Sequence, residues 1–202
     1  MSKSVLVFEA EYRIHKDLSD RIRGISRNWI KPRESYIEDR YHAIDIVSGA
    51  CFRLRKRTRN GKATYHMHNK FTMGDYPLIE EKRQISRNRF DGLVQQYGCP
   101  NLVIKGTRKD LWIDENYECS LENSGNNLRV CFDQVGGLDG VYTEAEIEIP
   151  ILNHDFNTAM IKVEPACDRV KAFLRTLDPK CRFEERTYMQ ILWRRKKLED
   201  RY

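Results

Sequence analysis

The sequence has no long hydrophobic run. Charged residues make up 33% of the 202 residues, and its apolar stretches are only a few residues long. A membrane-spanning helix needs about 20 consecutive, mostly apolar residues. The apolar core of a secretion signal is likewise interrupted early, at Glu9. We therefore expect a cytoplasmic protein that has no membrane partner.

The sequence also lacks the cysteine patterns of zinc-binding and redox proteins. Its six cysteines form no Cys-x-x-Cys pair and no combination with a nearby histidine. This excludes the common zinc and dithiol motifs and fits a reducing compartment. No internal repeat or low-complexity linker divides the chain, so its length favours a single domain over residues 1–202.

The net charge of +6 conceals an uneven distribution. The first 110 residues carry 23 Lys and Arg against 13 Asp and Glu, whereas the remaining residues carry 13 against 17. A basic half indicates a polyanionic partner such as a phosphate chain or a nucleic acid. The acidic half argues against simple coating of a nucleic-acid backbone.

Alternation of side-chain character with a period of two dominates the pattern and predicts nine strands. They are expected near residues 4–14, 36–45, 50–58, 62–72, 78–86, 102–113, 116–122, 127–134 and 141–150. Helical spacing predicts helices from Leu18 to Trp29, after Ser86, after Pro165 and from Glu184 to Glu199. Many antiparallel strands with a few helices make an α+β fold, whose edge strands must be paired or covered, often by closure into a barrel.

Carboxylates concentrate on one face of the first and last predicted strands. On the first strand, Glu9, Glu11 and Arg13 share a face, and the opposite face is almost wholly apolar. On the last strand, Glu146 and Glu148 alternate with apolar residues. The apolar faces should pack against a core, which turns the acidic faces towards a polar space.

Basic residues concentrate on the middle strands. Arg53, Arg55 and Arg57 share one face, and His66, His68 and Lys70 share a face of the next strand. If the sheet closes, the acidic strands meet and the basic strands line the remaining wall. Packed carboxylates would repel one another unless a cation neutralised them, and Mg²⁺ or Mn²⁺ suits such an oxygen-rich site. Arginine and lysine are the hydrogen-bond donors that phosphate needs, so the expected ligand is a chain of phosphates.

These residues, in this order, resemble the CYTH superfamily, the triphosphate tunnel metalloenzymes. The superfamily includes class IV adenylyl cyclases, thiamine triphosphatases and inorganic tripolyphosphatases. Its opening Glu-x-Glu-x-Lys motif is matched by Glu9-Ala10-Glu11-Tyr12-Arg13. Further matches are Asp39-Arg40-Tyr41, Phe52-Arg53-Leu54-Arg55, Lys70, Glu81-Lys82-Arg83, Asp133 before a glycine-rich turn, Glu146-Ile147-Glu148 and Arg186-Thr187-Tyr188.

The resemblance implies a closed antiparallel eight-stranded β-barrel, the triphosphate tunnel, with flanking helices. It implies that the catalytic, metal-binding acids are Glu9, Glu11, Glu146 and Glu148, with Asp133 assisting by holding a cation or a basic side chain. It implies that the phosphate-binding residues are Arg13, Arg53, Arg55, Lys70, Arg83 and Arg108. On the sixth strand, Lys105 and Lys109 compete with Arg108 for that role.

Two features of this chain depart from the pattern or add to it. Arg13 replaces the family lysine and keeps its proton at any ordinary pH, which argues against a role as a general base. His66 and His68 are predicted to face inward beside Lys70, where they could contact phosphate, titrate, complete a transition-metal site or simply be hydrogen-bonded.

The first functional hypothesis is a Mg²⁺- or Mn²⁺-dependent triphosphatase acting on tripolyphosphate or on an organic triphosphate, either a nucleoside or a thiamine triphosphate. A class IV-type adenylyl cyclase that makes cyclic AMP from ATP would use the same metal-binding and phosphate-binding residues. It also needs an adenine pocket, for which the sequence shows no signal. Activity on the 5′-triphosphate of RNA is supported only by the basic exterior. A non-catalytic sensor of phosphate chains or nucleotides is a further alternative, although four carboxylates would hinder pure anion binding.

Overall fold

A closed antiparallel barrel dominates the computed structural model, which describes residues 4–74, 77–122, 127–184 and 186–199. The strands are β1 (Val5–Ile14), β2 (Arg33–Ile44), β3 (Cys51–Arg59), β4 (Lys62–Phe71), β5 (Ile79–Ile85), β6 (Leu102–Ile113), β7 (Cys119–Ser120), β8 (Leu128–Val135) and β9 (Tyr142–Pro150). The helices are α1 (Ser19–Ile25), α2 (Arg87–Tyr97), α3 (Phe156–Met160), α4 (Val163–Leu177) and α5 (Tyr188–Glu199). A single turn of 3₁₀ helix, Leu152–His154, lies between β9 and α3.

The strand order around the barrel is β2-β3-β4-β5-β1-β9-β8-β6, and β6 pairs with β2 to close it. The short β7 pairs only with the end of β6. The predicted α+β fold with an eight-stranded barrel is therefore confirmed. Closure pairs both edges of the sheet, which is how this fold avoids exposed edge strands.

The barrel is covered on its outer face by helices. Phe8 of β1 and Ile149 of β9 are buried under α4, which packs along both strands. A smaller apolar cluster joins Leu54 of β3 and Ile85 of β5 to Phe90 of α2, and this helix packs against β4. The apolar face expected for the first strand is therefore the packed one, and its acidic face turns inward.

One end of the barrel is covered by α5. Met189 and Ile191 of this helix pack against Tyr41, Ile104 and Tyr142 of the barrel. Among the described residues, no helix is long and apolar enough to cross a membrane.

Two local backbone features follow from residue type. The β3–β4 hairpin turns at Asn60 and Gly61, whose φ values of 49° and 73° are the left-handed values that a two-residue turn requires. Gly106 lies where β6 passes closest to β8, and a Cβ atom there would lie 2.4 Å from the carbonyl oxygen of Gln134. The hairpin confirms the sequence prediction, whereas the close approach at Gly106 becomes visible only in the fold.

Three predicted elements are shorter than expected. The helix after β1 ends at Ile25 because Ser26 is extended and the Asn28 side chain hydrogen-bonds to the backbone of Cys119. The predicted strand 116–122 is reduced to the two residues of β7. The last helix begins at Tyr188 rather than Glu184, whose N–H donates to the carbonyl oxygen of Arg13 in an isolated bridge.

Candidate metal and phosphate site

The inner face of the barrel surrounds a cavity of about 170 Å³ with a largely charged lining. Seven carboxylates and eight lysine or arginine side chains line it, together with His66 and His68. Alternate residues of each strand point to this side, so the cavity is the polar space that the sequence predicts. Such a near balance of opposite charges allows many ionised groups to share a small volume.

Three carboxylates meet on the wall formed by β1 and β9. The antiparallel register places Glu9 opposite Glu148 and Glu11 opposite Glu146. One oxygen each from Glu9, Glu11 and Glu146 lie within 4.8 Å of one another. Like charges directly opposite across strands are destabilising, so this arrangement requires positive charge nearby.

Lysines from β4 and β5 supply part of that charge. Lys70 Nζ lies 2.8 Å from Oε2 of Glu9, and Lys82 Nζ lies 2.5 Å from Oε1 of the same residue. Lys82 also donates to Glu148 at 2.7 Å. Burial raises the pKa of Glu9, and the two lysines only partly offset that effect. An additional cation beside Glu9 would therefore favour its ionised form.

The other two members of the acidic cluster are paired with arginines. Arg129 donates to Glu146 at 2.7 Å, and Arg13 forms ion pairs with both Glu11 and Glu144. Burial tends to raise the pKa of Glu146, but Arg129, Lys82 and Arg108 together outweigh it, so this pKa lies below its ordinary value. Glu146 is thus available in its ionised form.

The acidic cluster fits a hard divalent cation. All three candidate ligands are carboxylate oxygens, the donor type that Mg²⁺ and Mn²⁺ prefer. Glu9, Glu11 and Glu146 would hold such an ion, and Glu148, on the same wall, is paired with Lys82. The fourth and fifth metal ligands expected from the sequence, Glu148 and Asp133, are not part of the three-residue cluster found among the described residues.

Asp133 instead holds a basic side chain. Arg108 donates to its two oxygens at 2.7 and 2.5 Å and to Glu144 at 2.8 Å, and the Tyr188 hydroxyl donates to Asp133 at 3.0 Å. Asp133 does not line the main cavity, whereas Arg108 does. Of the two roles that the resemblance allows Asp133, the geometry favours holding a basic side chain.

Arg108 is the basic residue of β6 that faces the cavity. Its competitors Lys105 and Lys109 are exposed, and Lys105 has a side chain that is 58% accessible. Residues alternate between the two faces of β6, and the odd-numbered Lys105 and Lys109 point away from the cavity. Alternation along the strand therefore selects Arg108 as the residue that faces the cavity.

The wall formed by β3 and β4 carries the expected arginines. Arg55 donates two hydrogen bonds of 2.7 Å to Asp39, and Arg53 donates to Glu80 at 3.0 Å. Burial alone would raise the pKa of Asp39, but Arg55 and Arg53 hold it well below its usual range. Asp39 therefore stays ionised and keeps the fork of Arg55 in place beside the cavity.

The sequence prediction places Arg83 on the wrong face of β5. It does not line the cavity, and Lys82 lies there instead. The register pairs Lys82 with His68 and Glu80 with Lys70, and directly paired residues share a face. Arg83 is on the outer face with Ile79 and Ile85. Those two isoleucines are the signal that could have revealed which face of β5 packs outward.

Both histidines line the cavity, as predicted, and both are held neutral. Burial, followed by the positive charges of Arg55 and Arg57, lowers the pKa of His66 to about 4. Burial and Arg53 lower the pKa of His68 to about 3. His66 hydrogen-bonds to the hydroxyl of Thr64, and His68 to the carboxylate of Glu80.

The main residues that sequence reasoning missed are Glu80 and Lys82, which connect the two walls. Glu80 accepts from Arg53 and His68, and Lys82 reaches Glu9 and Glu148. Arg129 of β8, to which the sequence interpretation gives no role, lines the cavity and pairs with Glu146 of the acidic cluster.

No protein-family model matches this sequence, and a search of curated proteins finds no match either. Solved structures do match. The PH1819 protein from Pyrococcus horikoshii OT3 is 19% identical, with a TM-score of 0.67 over 93% of this chain and 99% of that chain. A "putative adenylate cyclase" from Vibrio parahaemolyticus is 16% identical, with a TM-score of 0.61 over 92% and 97% of the two chains. The PH1012 protein from Pyrococcus horikoshii OT3 is 15% identical, with a TM-score of 0.57 over 91% and 98%. This chain therefore shares the fold of these structures, and the closed eight-stranded barrel expected from the sequence is confirmed.

Proposed function

We propose that this protein is a metal-dependent triphosphatase that hydrolyses inorganic tripolyphosphate or the triphosphate of a nucleotide or of thiamine. The observation that carries the proposal is the juxtaposition, in one cavity, of the Glu9, Glu11 and Glu146 cluster with lysines and arginines from the opposite wall. A phosphate chain with its divalent cation offers both charge types that this lining complements.

The present ion pairs indicate how the site would accept such a ligand. Lys70 and Lys82 are bound to Glu9, a candidate metal ligand. A Mg²⁺ or Mn²⁺ ion held by the acidic cluster would neutralise phosphoryl oxygens and activate water. Release of the two lysines from Glu9 would then free both ammonium groups to bind phosphate oxygens and to stabilise charge on the leaving group.

The smaller demand that hydrolysis makes on the site supports it as the first candidate. Hydrolysis needs only the phosphates and a water, whereas a cyclase must also position the ribose and the base. The alternative, conversion of ATP to cyclic AMP, is motivated by the likeness to the Vibrio parahaemolyticus structure described as a cyclase.

The experiment measures products over a panel of substrates, namely tripolyphosphate, ATP, GTP, thiamine triphosphate and RNA with a 5′-triphosphate, each with Mg²⁺ or Mn²⁺. We expect release of phosphate without a cyclic nucleotide. Cyclic AMP with pyrophosphate would establish the cyclase alternative. Saturable binding of the panel without any product would overturn catalysis and leave a sensor.

Glu11→Gln tests the metal assignment within the same assay. We expect turnover to fall at least about 100-fold, because even residues that only hydrogen-bond to metal ligands account for roughly 10–100-fold. Glu81→Gln is the matched control, since Glu81 lies on the outer face of β5, hydrogen-bonded to Ser4. Wild-type turnover in Glu11→Gln would remove this carboxylate from the metal site.

A further inference from the structure

His68 occupies an unusual position for a histidine. Its side chain is almost fully buried on the inner face of β4, where it lines the cavity. Nδ1 lies 2.7 Å from Oε1 of Glu80 and 2.9 Å from Nη2 of Arg53. Nε2 is buried and has no hydrogen-bond partner among the described residues.

The partners of Nδ1 determine the tautomer. Three cations surround the carboxylate of Glu80, with Arg53 at 3.0 Å, Lys82 at 3.2 Å and Lys70 at 3.8 Å, so it is ionised and can only accept. Nδ1 must therefore carry the hydrogen of the neutral ring. Arg53 then donates to Oε1 of Glu80, 3.0 Å away, because a protonated Nδ1 has no lone pair to offer.

This tautomer leaves a lone pair on Nε2. A buried acceptor without a partner is unfavourable, so a donor that arrives with the ligand would satisfy Nε2. The lysine and arginine groups around the cavity can only donate to phosphate. His68 Nε2 is instead suited to accept from a hydroxyl group or a water.

A metal ion is the other partner to consider. A histidine that donates its second nitrogen to a carboxylate is typical of metal ligands. Among the described residues, however, the one group of three possible ligands is Glu9, Glu11 and Glu146, and it does not include His68. The geometry therefore favours an O–H donor over a metal for Nε2.

We infer that His68 is a catalytic residue whose Nε2 accepts a hydrogen bond, and then the proton, from the water that attacks the triphosphate. The water oxygen forms a bond to phosphorus, and the bridging P–O bond breaks with its electron pair on the leaving phosphate. The proton of the water moves to Nε2, and Glu80 stabilises the resulting imidazolium through Nδ1. This inference rests on the proposed hydrolysis.

The charges around His68 explain how its basicity would depend on substrate. The groups that face or neighbour it are Asp39 of β2, Arg53 and Arg55 of β3, His66 and Lys70 of β4, and Glu80 and Lys82 of β5. Burial and the arginines keep the ring neutral in the free protein, so the Nε2 lone pair is available near pH 7. A bound triphosphate offsets the arginines and raises the pKa of His68 towards its ordinary value.

His68→Asn isolates the role of Nε2. The asparagine Nδ2 can replace Nδ1 and donate to Glu80, but nothing replaces Nε2. We expect kcat to fall about 10²–10⁴-fold, the usual contribution of a positioned base. The affinity for tripolyphosphate with Mg²⁺, measured by calorimetry, should stay within about threefold, because ground-state contacts are kept. His42→Asn is the matched control, a histidine on the outer face whose ring nitrogens also lack partners.

Two further readouts separate this role from a structural one. The acid limb of the pH profile of kcat in the wild type should disappear in His68→Asn. Nitrogen-15 NMR of the labelled histidines should show hydrogen on Nδ1 of His68 in the free protein, and hydrogen on Nε2 would overturn the assignment. No turnover of any triphosphate by the wild type would overturn the proposed function. Wild-type kcat in His68→Asn, with an active wild type, would overturn only the role of His68.

Discussion

The acidic wall, formed by β1 and β9, and the basic wall, formed by β3 and β4, are built differently. Behind the acidic wall, the side chains of Phe8, Ala10, Ile147 and Ile149 are buried in the largest apolar cluster, under α4. Behind the basic wall, the cluster is smaller: Leu54, Ile85 and Phe90 are buried, but the residues packed against them are only partly so. The carboxylates therefore stand on the more rigidly packed part of the barrel.

This difference matches what each wall would bind in the proposed function. A metal ion needs its ligands within a few tenths of an ångström of their ideal distances, and Glu side chains on a well-packed sheet can meet that demand. Arginine and lysine reach over several rotatable bonds and tolerate a less rigid support. In the proposed function, the acidic wall would therefore set the position of the reaction, while the basic wall would adapt to the phosphate chain.

The sharpest test of the basic wall compares two arginines on opposite faces of the barrel. Arg55→Ala removes a forked cation from the cavity, and we expect KM for tripolyphosphate to rise about 10–100-fold with little change in kcat, since a hydrogen bond to a charged group contributes roughly 1.5–3 kcal/mol. Arg83→Ala, on the outer face, should leave both constants unchanged. Steady-state kinetics measures both variants, and equal effects would contradict the assigned faces.

His68 on the basic wall and Glu9 on the acidic wall change the free energy of unfolding with pH in opposite directions. Burial and Arg53 lower the pKa of His68 from 6.5 to about 3, so its contribution to stability is present above pH 6.5 and is lost as the pH falls. From pH 7 to pH 5 this loss amounts to about 2 kcal/mol, because the unfolded chain binds a proton that the folded chain does not. On the acidic wall, the pKa of Glu9 is raised in the folded protein, so the folded state binds this proton more tightly than the unfolded chain does. The contribution of Glu9 to stability is therefore present at low pH and is lost as the pH rises.

Urea denaturation of the wild type and of His68→Asn at pH 7 and pH 5 measures this effect. The variant should show a pH dependence smaller by about 2 kcal/mol. Parallel pH dependences in the two proteins would show that His68 titrates normally in the folded state, contrary to its burial among arginines.

The smallest expected effect concerns the ion pairs between the walls. Lys82 contacts both Glu9 and Glu148, so a metal ion must compete with it. Lys82→Met should therefore raise the affinity for Mn²⁺ in the absence of phosphate about tenfold, or 1.4 kcal/mol, and should weaken tripolyphosphate binding when metal is present. Calorimetry gives both affinities, with Lys105→Met on the outer face as the control. Unchanged or weaker Mn²⁺ binding would show that Lys82 does not compete with the metal.

Much of the site could be predicted from local pattern. The two faces of β1 differ so strongly in polarity that the inward position of Glu9, Glu11 and Arg13 follows from alternation alone. The same holds for Arg53 and Arg55 on β3. On β5 the prediction was wrong, because Glu80 and Lys82 on one face look much like Glu81 and Arg83 on the other. The pairing with β1 and β4 places Glu80 and Lys82 inside, in agreement with the position of Ile79 and Ile85 on the other face.

The sequence by itself determined the strands, the charge carried by each face and the kind of ligand that such faces attract, because alternation and residue chemistry are local properties. The tertiary structure alone decided which charges meet. Lys82 reaches Glu9, Arg108 is held by Asp133, and the Nδ1 of His68 donates to Glu80 because the closed barrel brings distant strands within hydrogen-bonding distance. Those contacts depend on strand register and closure, which no single segment of the chain encodes.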